Sequence, residues 1–146
     1  MKRKSFLIVL LLVLAVYLSG CSGGMVTPNA HEIGGDFYIC ENILRGFYTA
    51  LSNRNYPQAL SYCKPGGAAF KYVNDTWNSD QQYPTFYTTY QVYEVYNFSY
   101  IGQSMVSCDY DLSFTIHDIY GGTYDTSYFY GQTGLFEKVN GEWKMP

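Results

Sequence analysis

The segment Val106–His117, with the sequence VSCDYDLSFTIH, alternates between two kinds of side chain over its whole length. The first kind is large or apolar, comprising Val106, Cys108, Tyr110, Leu112, Phe114 and Ile116. The second kind is polar, comprising Ser107, Asp109, Asp111, Ser113, Thr115 and His117. A period of two places successive side chains on opposite faces of a strand. The segment therefore predicts a β-strand with one core face and one solvated face.

The residues around this strand predict further antiparallel strands. Residues 86–101 are dense in Tyr, Val, Phe and Thr, which favour strands, and residues 101–104 contain Gly102 and predict a turn. Gly121-Gly122 predicts a tight hairpin turn into a strand over residues 123–131. Asn140-Gly141 predicts a last hairpin between residues 135–139 and 142–145.

The residues before Pro84 show a helical period instead. Phe37, Cys40, Leu44, Phe47 and Leu51 recur at spacings of three and four, which predicts an amphipathic helix with Asp36 as its N-cap. Pro57 is expected as the first residue of a short second helix through Cys63, and a third helix is predicted over residues 68–78. Helices followed by antiparallel strands indicate an α+β domain whose sheet curls over the helices.

Two segments carry a family resemblance. Residues 43–60, ILRGFYTALSNRNYPQAL, resemble the opening helix pair of the NTF2-like (SnoaL/ketosteroid-isomerase-like) superfamily, and residues 138–145, KVNGEWKM, resemble its terminal hairpin. The resemblance implies a cone of three N-terminal helices packed on a strongly curved antiparallel sheet, spanning residues 34–146. Many members place a short strand or hairpin between the second and third helices. Residues 63–68 leave little room for such a hairpin. In this respect the chain resembles the small extracytoplasmic lipoprotein members of the superfamily.

The first 21 residues carry a second resemblance. Lys2, Arg3 and Lys4 precede a thirteen-residue apolar run, residues 6–18, which is shorter than the roughly 20 residues that span a bilayer. Leu18-Ser19-Gly20-Cys21 then resembles a bacterial lipobox, which implies a signal peptide over residues 1–20 and lipidation of Cys21. Residues 21–33 are expected to form a flexible tether. Ser22 after the lipidated residue implies the outer membrane if the host is Gram-negative, and otherwise a lipid anchor on the cell membrane.

The net charge of the chain limits the classes of partner that it is expected to bind. Removal of residues 1–20 takes three of the nine basic residues and none of the twelve acidic ones, so the mature chain has a net charge of about −6. Such a chain, without a basic cluster, is not expected to bind nucleic acid. It also lacks a polybasic membrane signal, so attachment depends on the lipid at Cys21.

Cysteine and histidine positions predict no cofactor. Of Cys40, Cys63 and Cys108, one pair is expected to be bridged in an oxidising compartment. The sequence does not determine the pair, and Cys63 with Cys108 or with Cys40 are the options that include the loop-flanked cysteine. No CxxC or Cys/His spacing indicates a metal site, and His31 and His117 are far apart.

The residues leave two functional hypotheses. Eleven of the seventeen tyrosines lie between Tyr83 and Tyr130, which is typical of a binding surface, although strands also accept exposed tyrosine without a function. The first hypothesis is a non-catalytic module for a small apolar ligand or an envelope protein, with homodimerisation through the sheet as a further possibility. The second is a cofactor-independent isomerase or dehydratase. Candidate ligand contacts are Glu94, Tyr96, Tyr110 and Tyr128.

The acid–base candidates for the enzyme hypothesis are few. Glu94 shares the parity of Val92 and Tyr96 and would act as the base if it faced the cone, whereas a bulge in the strand would instead turn it to solvent. Asp109, Asp111 and His117 lie on the polar face of their strand. A solvated face explains them better than catalysis, so we expect no enzymatic activity.

Overall fold

The computed structural model describes residues 30–146, with side chains from Gly34 onward. The predicted signal peptide, the predicted lipidation site Cys21 and the predicted tether as far as residue 29 lie outside the described residues. Residues His31–Pro146 form one compact unit. Three helices precede four strands: α1 (Ala30–Ser52), α2 (Tyr56–Ser61), α3 (Ala68–Gln82), β1 (Phe86–Tyr100), β2 (Met105–Asp118), β3 (Thr123–Val139) and β4 (Glu142–Lys144). No described helix is long and apolar enough to cross a membrane.

Helix α1 begins at Ala30, so the prediction that Asp36 is its N-cap was wrong, and residues 30–33 are helical rather than tether. Asp36 instead links α1 to strands β1 and β4. Its carboxylate accepts hydrogen bonds from the Tyr100 hydroxyl at 2.8 Å and from the Trp143 indole N–H at 2.9 Å. The apolar stripe itself is confirmed, because Cys40, Leu44, Phe47 and Leu51 are buried.

Helices α2 and α3 are joined without an intervening hairpin. The Asn55 side chain caps α2 by accepting from the Gln58 N–H, and Pro57 follows the first helical residue, Tyr56, rather than starting the helix. Helix α3 extends to Gln82, four residues past its predicted end. Between them, Cys63 forms only an isolated bridge to Met145, which agrees with the short spacing in the sequence.

The sheet is antiparallel with the order β1-β2-β3-β4, and it curls over the helices as an α+β half-barrel. Strand β3 is continuous through residue 139, where the sequence predicted two separate segments. Gly131, at φ 62°, lies at a register shift between β2 and β3. Because glycine adopts this left-handed conformation readily, the strand bends there without ending.

The core lies between the helices and the face of the sheet that we call the inner face. The predicted stripe of β2 is confirmed where the helices cover it, since Val106, Cys108, Tyr110 and Leu112 are buried. Phe114 is only half-buried, and Ser113 on the opposite face is unexpectedly buried. Near Phe114, the helices therefore do not fully cover the inner face of the sheet.

Candidate functional site

Six aromatic side chains form a continuous surface on the inner face, which we call the inner aromatic surface. Its members come from α1, α3 and the first three strands, and they are Tyr48, Tyr72, Tyr90, Tyr110, Phe114 and Phe129. Ring centroids are 5.3 Å apart for Tyr48 and Tyr90, 6.5 Å for Tyr90 and Phe114, and 5.4 Å for Phe114 and Phe129. These contacts lead from the core to Phe129, which is 38% exposed, and Tyr72, whose hydroxyl bonds to Tyr90, is 45% exposed.

Four of these residues are tyrosines whose hydroxyls pair with one another. The Tyr48 and Tyr110 oxygens are 2.9 Å apart, and the Tyr72 and Tyr90 oxygens are 2.8 Å apart. A mutual bond uses one of the two hydroxyl hydrogens in a pair, so each pair retains one O–H donor. Burial, as the largest cause, raises the pKa of Tyr48 and of Tyr90 far above the ordinary tyrosine value. The hydroxyls of Tyr48 and Tyr90 are therefore neutral at any physiological pH.

A cavity of about 230 Å³ adjoins this surface between α1 and β1. It is lined by Arg45, Tyr48, Thr49, Tyr90, Gln91 and Val92. Arg45 fixes its wall by donating to the carbonyls of Val92 at 2.7 Å and Tyr93 at 3.2 Å, while Glu41 accepts from its Nε at 2.9 Å. A second cavity, of about 450 Å³, is an open groove between α1, α2 and the terminal hairpin, with Ile39, Ile43 and Trp143 in its wall.

Two carboxylates on the helical side of the sheet are held by neighbouring side chains. Asp80 on α3 accepts from the Tyr56 hydroxyl and forms an ion pair with Arg54 at 3.1 Å. Asp36 on α1 is bonded to Tyr100 and Trp143 as described above. The polar groups that the inner aromatic surface presents are consequently phenolic hydroxyls.

The structure separates the four sequence-predicted ligand contacts. Tyr110 belongs to the inner aromatic surface, whereas Tyr96 and Tyr128 lie on the opposite face, which we call the outer face. Glu94 is exposed, and it lies at a register shift between Val92 and Val95. This bulge gives the inner position to Val95, so the expectation that Glu94 and Tyr96 share an inward parity with Val92 was wrong.

A second bulge, between Tyr96 and Ser99, returns the later residues of β1 to their expected faces. It contains Asn97 at φ 52°, and the half-buried Phe98 and Tyr100 after it pack against the core. Sequence reasoning missed five residues of the inner aromatic surface as site residues: Tyr48, Tyr72, Tyr90, Phe114 and Phe129. A usable signal existed for Tyr48, which follows Leu44 by four residues and so borders the buried stripe of α1.

Two further ionisable residues, His117 and Asp118, lie on the outer face and at the turn between β2 and β3. His117 stacks on Tyr87 at 4.9 Å and shares a hydrogen bond of 2.8 Å with Thr89. Asp118 accepts from the Gly122 and Tyr120 N–H groups, both at 2.8 Å. These bonds, chiefly the one from Gly122, hold the pKa of Asp118 below its ordinary value. Asp118 therefore organises the β2–β3 turn.

The three described cysteines are buried free thiols, so the expected bridge is not present in this structure. The Cys63 thiol lies 3.4 Å from the Ala59 carbonyl in its own helix. Burial, as the largest cause, raises the pKa of Cys40 to about 12 and those of Cys63 and Cys108 to about 11. Among the described residues, no cluster of His, Cys, Asp or Glu could hold a metal ion.

No protein-family model matches the sequence, and the comparison with curated proteins gave no match either. Solved structures do resemble it. An NTF2-like protein of unknown function from Prochlorococcus sp. NATL2A is 19% identical, with a TM-score of 0.51, and the match covers 74% of this chain and 85% of that one. A protein of unknown function with a cystatin-like fold from Nostoc punctiforme is 11% identical, with a TM-score of 0.53 and coverages of 74% and 84%.

An enzyme is also among the similar structures. The hexachlorocyclohexane dehydrochlorinase LinA, type 2, is 12% identical, with a TM-score of 0.52, and the match covers 76% of this chain and 80% of that one. Identities this low carry the fold and not the activity. The curled sheet, the three preceding helices and these similarities together show that the chain has the NTF2-like, cystatin-like α+β fold.

Proposed function

We propose that this chain is a lipid-anchored, extracytoplasmic binding module whose inner aromatic surface takes a small apolar or aromatic ligand. The carrying observation is the ring series from Tyr48 through Tyr90 and Phe114 to half-exposed Phe129, which half-exposed Tyr72 joins through its hydroxyl bond to Tyr90. Apolar lining with a few convergent polar groups is typical of small-molecule sites. The two spare hydroxyl donors would orient a ligand that carries a carbonyl or ether oxygen.

The exposed rings offer a useful part of the binding free energy. An aromatic side chain presents roughly 200 Å². With 38% of Phe129 and 45% of Tyr72 exposed, covering both removes about 160 Å² from water, or about 4 kcal/mol at about 25 cal/mol per Å². Association costs offset part of this gain, so micromolar affinity needs further contacts along the surface.

Binding is favoured over catalysis by the polar groups of the same surface. The hydroxyls of Tyr48 and Tyr90 stay protonated because burial raises their pKa values, and the nearby Asp80 carboxylate is held by Arg54 and Tyr56. A proton-abstracting site needs a base within hydrogen-bonding reach of its substrate. Tyrosines with strongly raised pKa values are poor bases and serve better as hydrogen-bond donors.

The ligand site is tested with 2-naphthol, a small aromatic alcohol, and the full chain in phosphatidylcholine nanodiscs. Empty nanodiscs supply the background. Phe129 faces the inner surface, whereas its neighbour Tyr128 faces the outer one, so Phe129→Ser and Tyr128→Ser are matched variants. We expect saturable binding that Phe129→Ser weakens at least fivefold and Tyr128→Ser leaves within twofold. Equal effects of both variants would contradict the proposed site.

The anchor is tested by the mass of the chain purified from bacterial membranes. We expect an N-terminal peptide that begins at Cys21 and carries a thioether-linked diacylglycerol. Cys21→Ala is expected to remain an unprocessed precursor, because the signal peptidase recognises the lipidated cysteine. A wild-type chain that keeps residues 1–20, or has an unmodified Cys21, would refute lipidation.

A further inference from the structure

The outer face carries its own exposed aromatic side chains. The rings of Tyr93 and Tyr128 stack with their centroids 6.4 Å apart and cover Ser113, whose hydroxyl is 3.1 Å from the Tyr93 hydroxyl. Tyr93 is 42% and Tyr128 57% exposed. Neither ring belongs to the core, and their tight arrangement presents a preformed apolar platform to solvent.

Two carboxylates lie beside this platform in fixed positions. Asp109 and Asp111 precede Ser113 along β2 at intervals of two, so all three point to the outer face. Asp109 accepts from Asn97 at 2.9 Å and from Thr133 at 3.0 Å. Asp111 accepts from the Tyr96 hydroxyl at 3.1 Å and from the Gly131 N–H at 2.9 Å. Every one of these donors is neutral, so the two negative charges are held in place but not compensated.

The ion pairs of the described residues do not include Asp109 or Asp111. The four ion pairs join Arg45 to Glu41, Arg54 to Asp80, Lys64 to Glu137 and Lys144 to Glu142. Strands β1, β2 and β3 together contain six acidic residues and one basic residue, Lys138. Lys138 lies over the Trp143 ring at the terminal hairpin. Next to the Tyr93–Tyr128 pair, the outer face therefore carries two carboxylates, Asp109 and Asp111, that no described cation balances.

We propose that the outer face docks a basic, Lys/Arg-bearing segment of a partner protein. Tyrosine rings attract ammonium and guanidinium groups through their faces, and a carboxylate adds a charge-assisted hydrogen bond to the same cation. The stacked Tyr93–Tyr128 pair and the adjacent Asp109 and Asp111 supply both kinds of group on one side of the sheet. This charge pattern identifies the occupant.

A second copy of this chain fits the same face poorly. A two-fold interface brings each surface patch against its own copy, so Asp109 and Asp111 would face the same carboxylates. Like charges placed across an interface cost free energy, and none of the four ion pairs of the described residues involves Asp109 or Asp111. The outer face is a different surface from the inner aromatic one, so peptide docking on it does not depend on ligand binding at the inner surface.

The probe for this proposal is a fluorescein-labelled peptide of eight alternating lysines and arginines, titrated against the full chain in phosphatidylcholine nanodiscs. The main variant is Asp109→Asn with Asp111→Asn, which keeps the side-chain shapes. Its matched control, Asp75→Asn with Asp125→Asn, removes the same charge from an exposed position on α3 and from an exposed position of β3 opposite Ile116, which has the inner parity. We expect the main variant to weaken binding at least tenfold, and the control to weaken it less than twofold.

Single-ring variants provide an independent readout. We expect Tyr128→Ser to weaken peptide binding about threefold, the value of one exposed cation–π contact. Phe129→Ser on the inner face should leave peptide binding unchanged. Equal weakening by the main and control pairs would show bulk charge attraction and overturn the proposal, as would peptide binding that Tyr128→Ser does not change. Sedimentation that shows a dimer lost in Tyr128→Ser but kept in Phe129→Ser would identify a second copy as the occupant instead.

Discussion

The carboxylate of Asp36 joins α1 to the sheet, and its removal gives a sharp prediction for stability. Asp36 accepts from Trp143 Nε1 at 2.9 Å and from the Tyr100 hydroxyl at 2.8 Å. Trp143 is only 5% exposed. Asp36→Ala would leave the buried indole N–H without this acceptor and would take one acceptor from Tyr100.

The magnitude follows from those two bonds. A hydrogen bond to a charged group contributes about 1.5–3 kcal/mol, and a buried donor left unpaired costs about 1–3 kcal/mol. Because Asp36 is half-buried, water can partly replace it at the Tyr100 side. We therefore expect Asp36→Ala to lower the free energy of unfolding by about 2–4 kcal/mol.

Urea unfolding followed by tryptophan fluorescence measures this change. Asp75→Ala on α3 is the control, because Asp75 is exposed and such surface changes stay within about 0.5 kcal/mol. Asp36→Asn, which keeps one acceptor oxygen, should recover part of the loss. A loss below about 0.5 kcal/mol for Asp36→Ala would refute the role assigned to this carboxylate.

Three further predictions concern the titratable residues. The described cysteines, with pKa values of about 11 to 12, should resist iodoacetamide at pH 8 in the folded chain and react after unfolding; rapid labelling of the folded chain would contradict their burial. Burial raises the pKa values of the thiols and of the Tyr48 and Tyr90 hydroxyls above their unfolded-state values of 9 and 10. The resulting contribution to stability is fully present below those values and is lost as the pH rises above them, so the urea concentration at the unfolding midpoint should decrease at alkaline pH. Glu94→Gln should leave 2-naphthol affinity within twofold, because Glu94 is exposed in a bulge; a larger loss would return it to the ligand site.

The regular parts of the fold could be predicted from the sequence because they depend on local periodicity. The alternation in Val106–His117 identified β2 and its buried face, and the three-and-four spacing identified the buried stripe of α1. The start of α1 could not be predicted in the same way. Asp36 has the composition of an N-cap, but its tertiary partners, Tyr100 and Trp143, are remote in sequence.

The candidate site was harder to predict because bulges break the parity on which strand assignments rest. One additional residue between Val92 and Val95 moves Tyr96 to the outer face and leaves Glu94 exposed. The pairing of Tyr48 with Tyr110 joins residues 62 positions apart. Such contacts depend on how α1 packs across the sheet, which local patterns do not encode.

Aromatic-ring NMR of the full chain in phosphatidylcholine nanodiscs, titrated with 2-naphthol, tests the proposed ligand site most directly. If the ligand binds the inner aromatic surface, we expect saturable shifts of the ring signals of Tyr72, Tyr90 and Phe129, while those of Tyr93 and Tyr128 stay unchanged. Shifts confined to Tyr93 and Tyr128, or no saturable shift at any of the five rings, would contradict it.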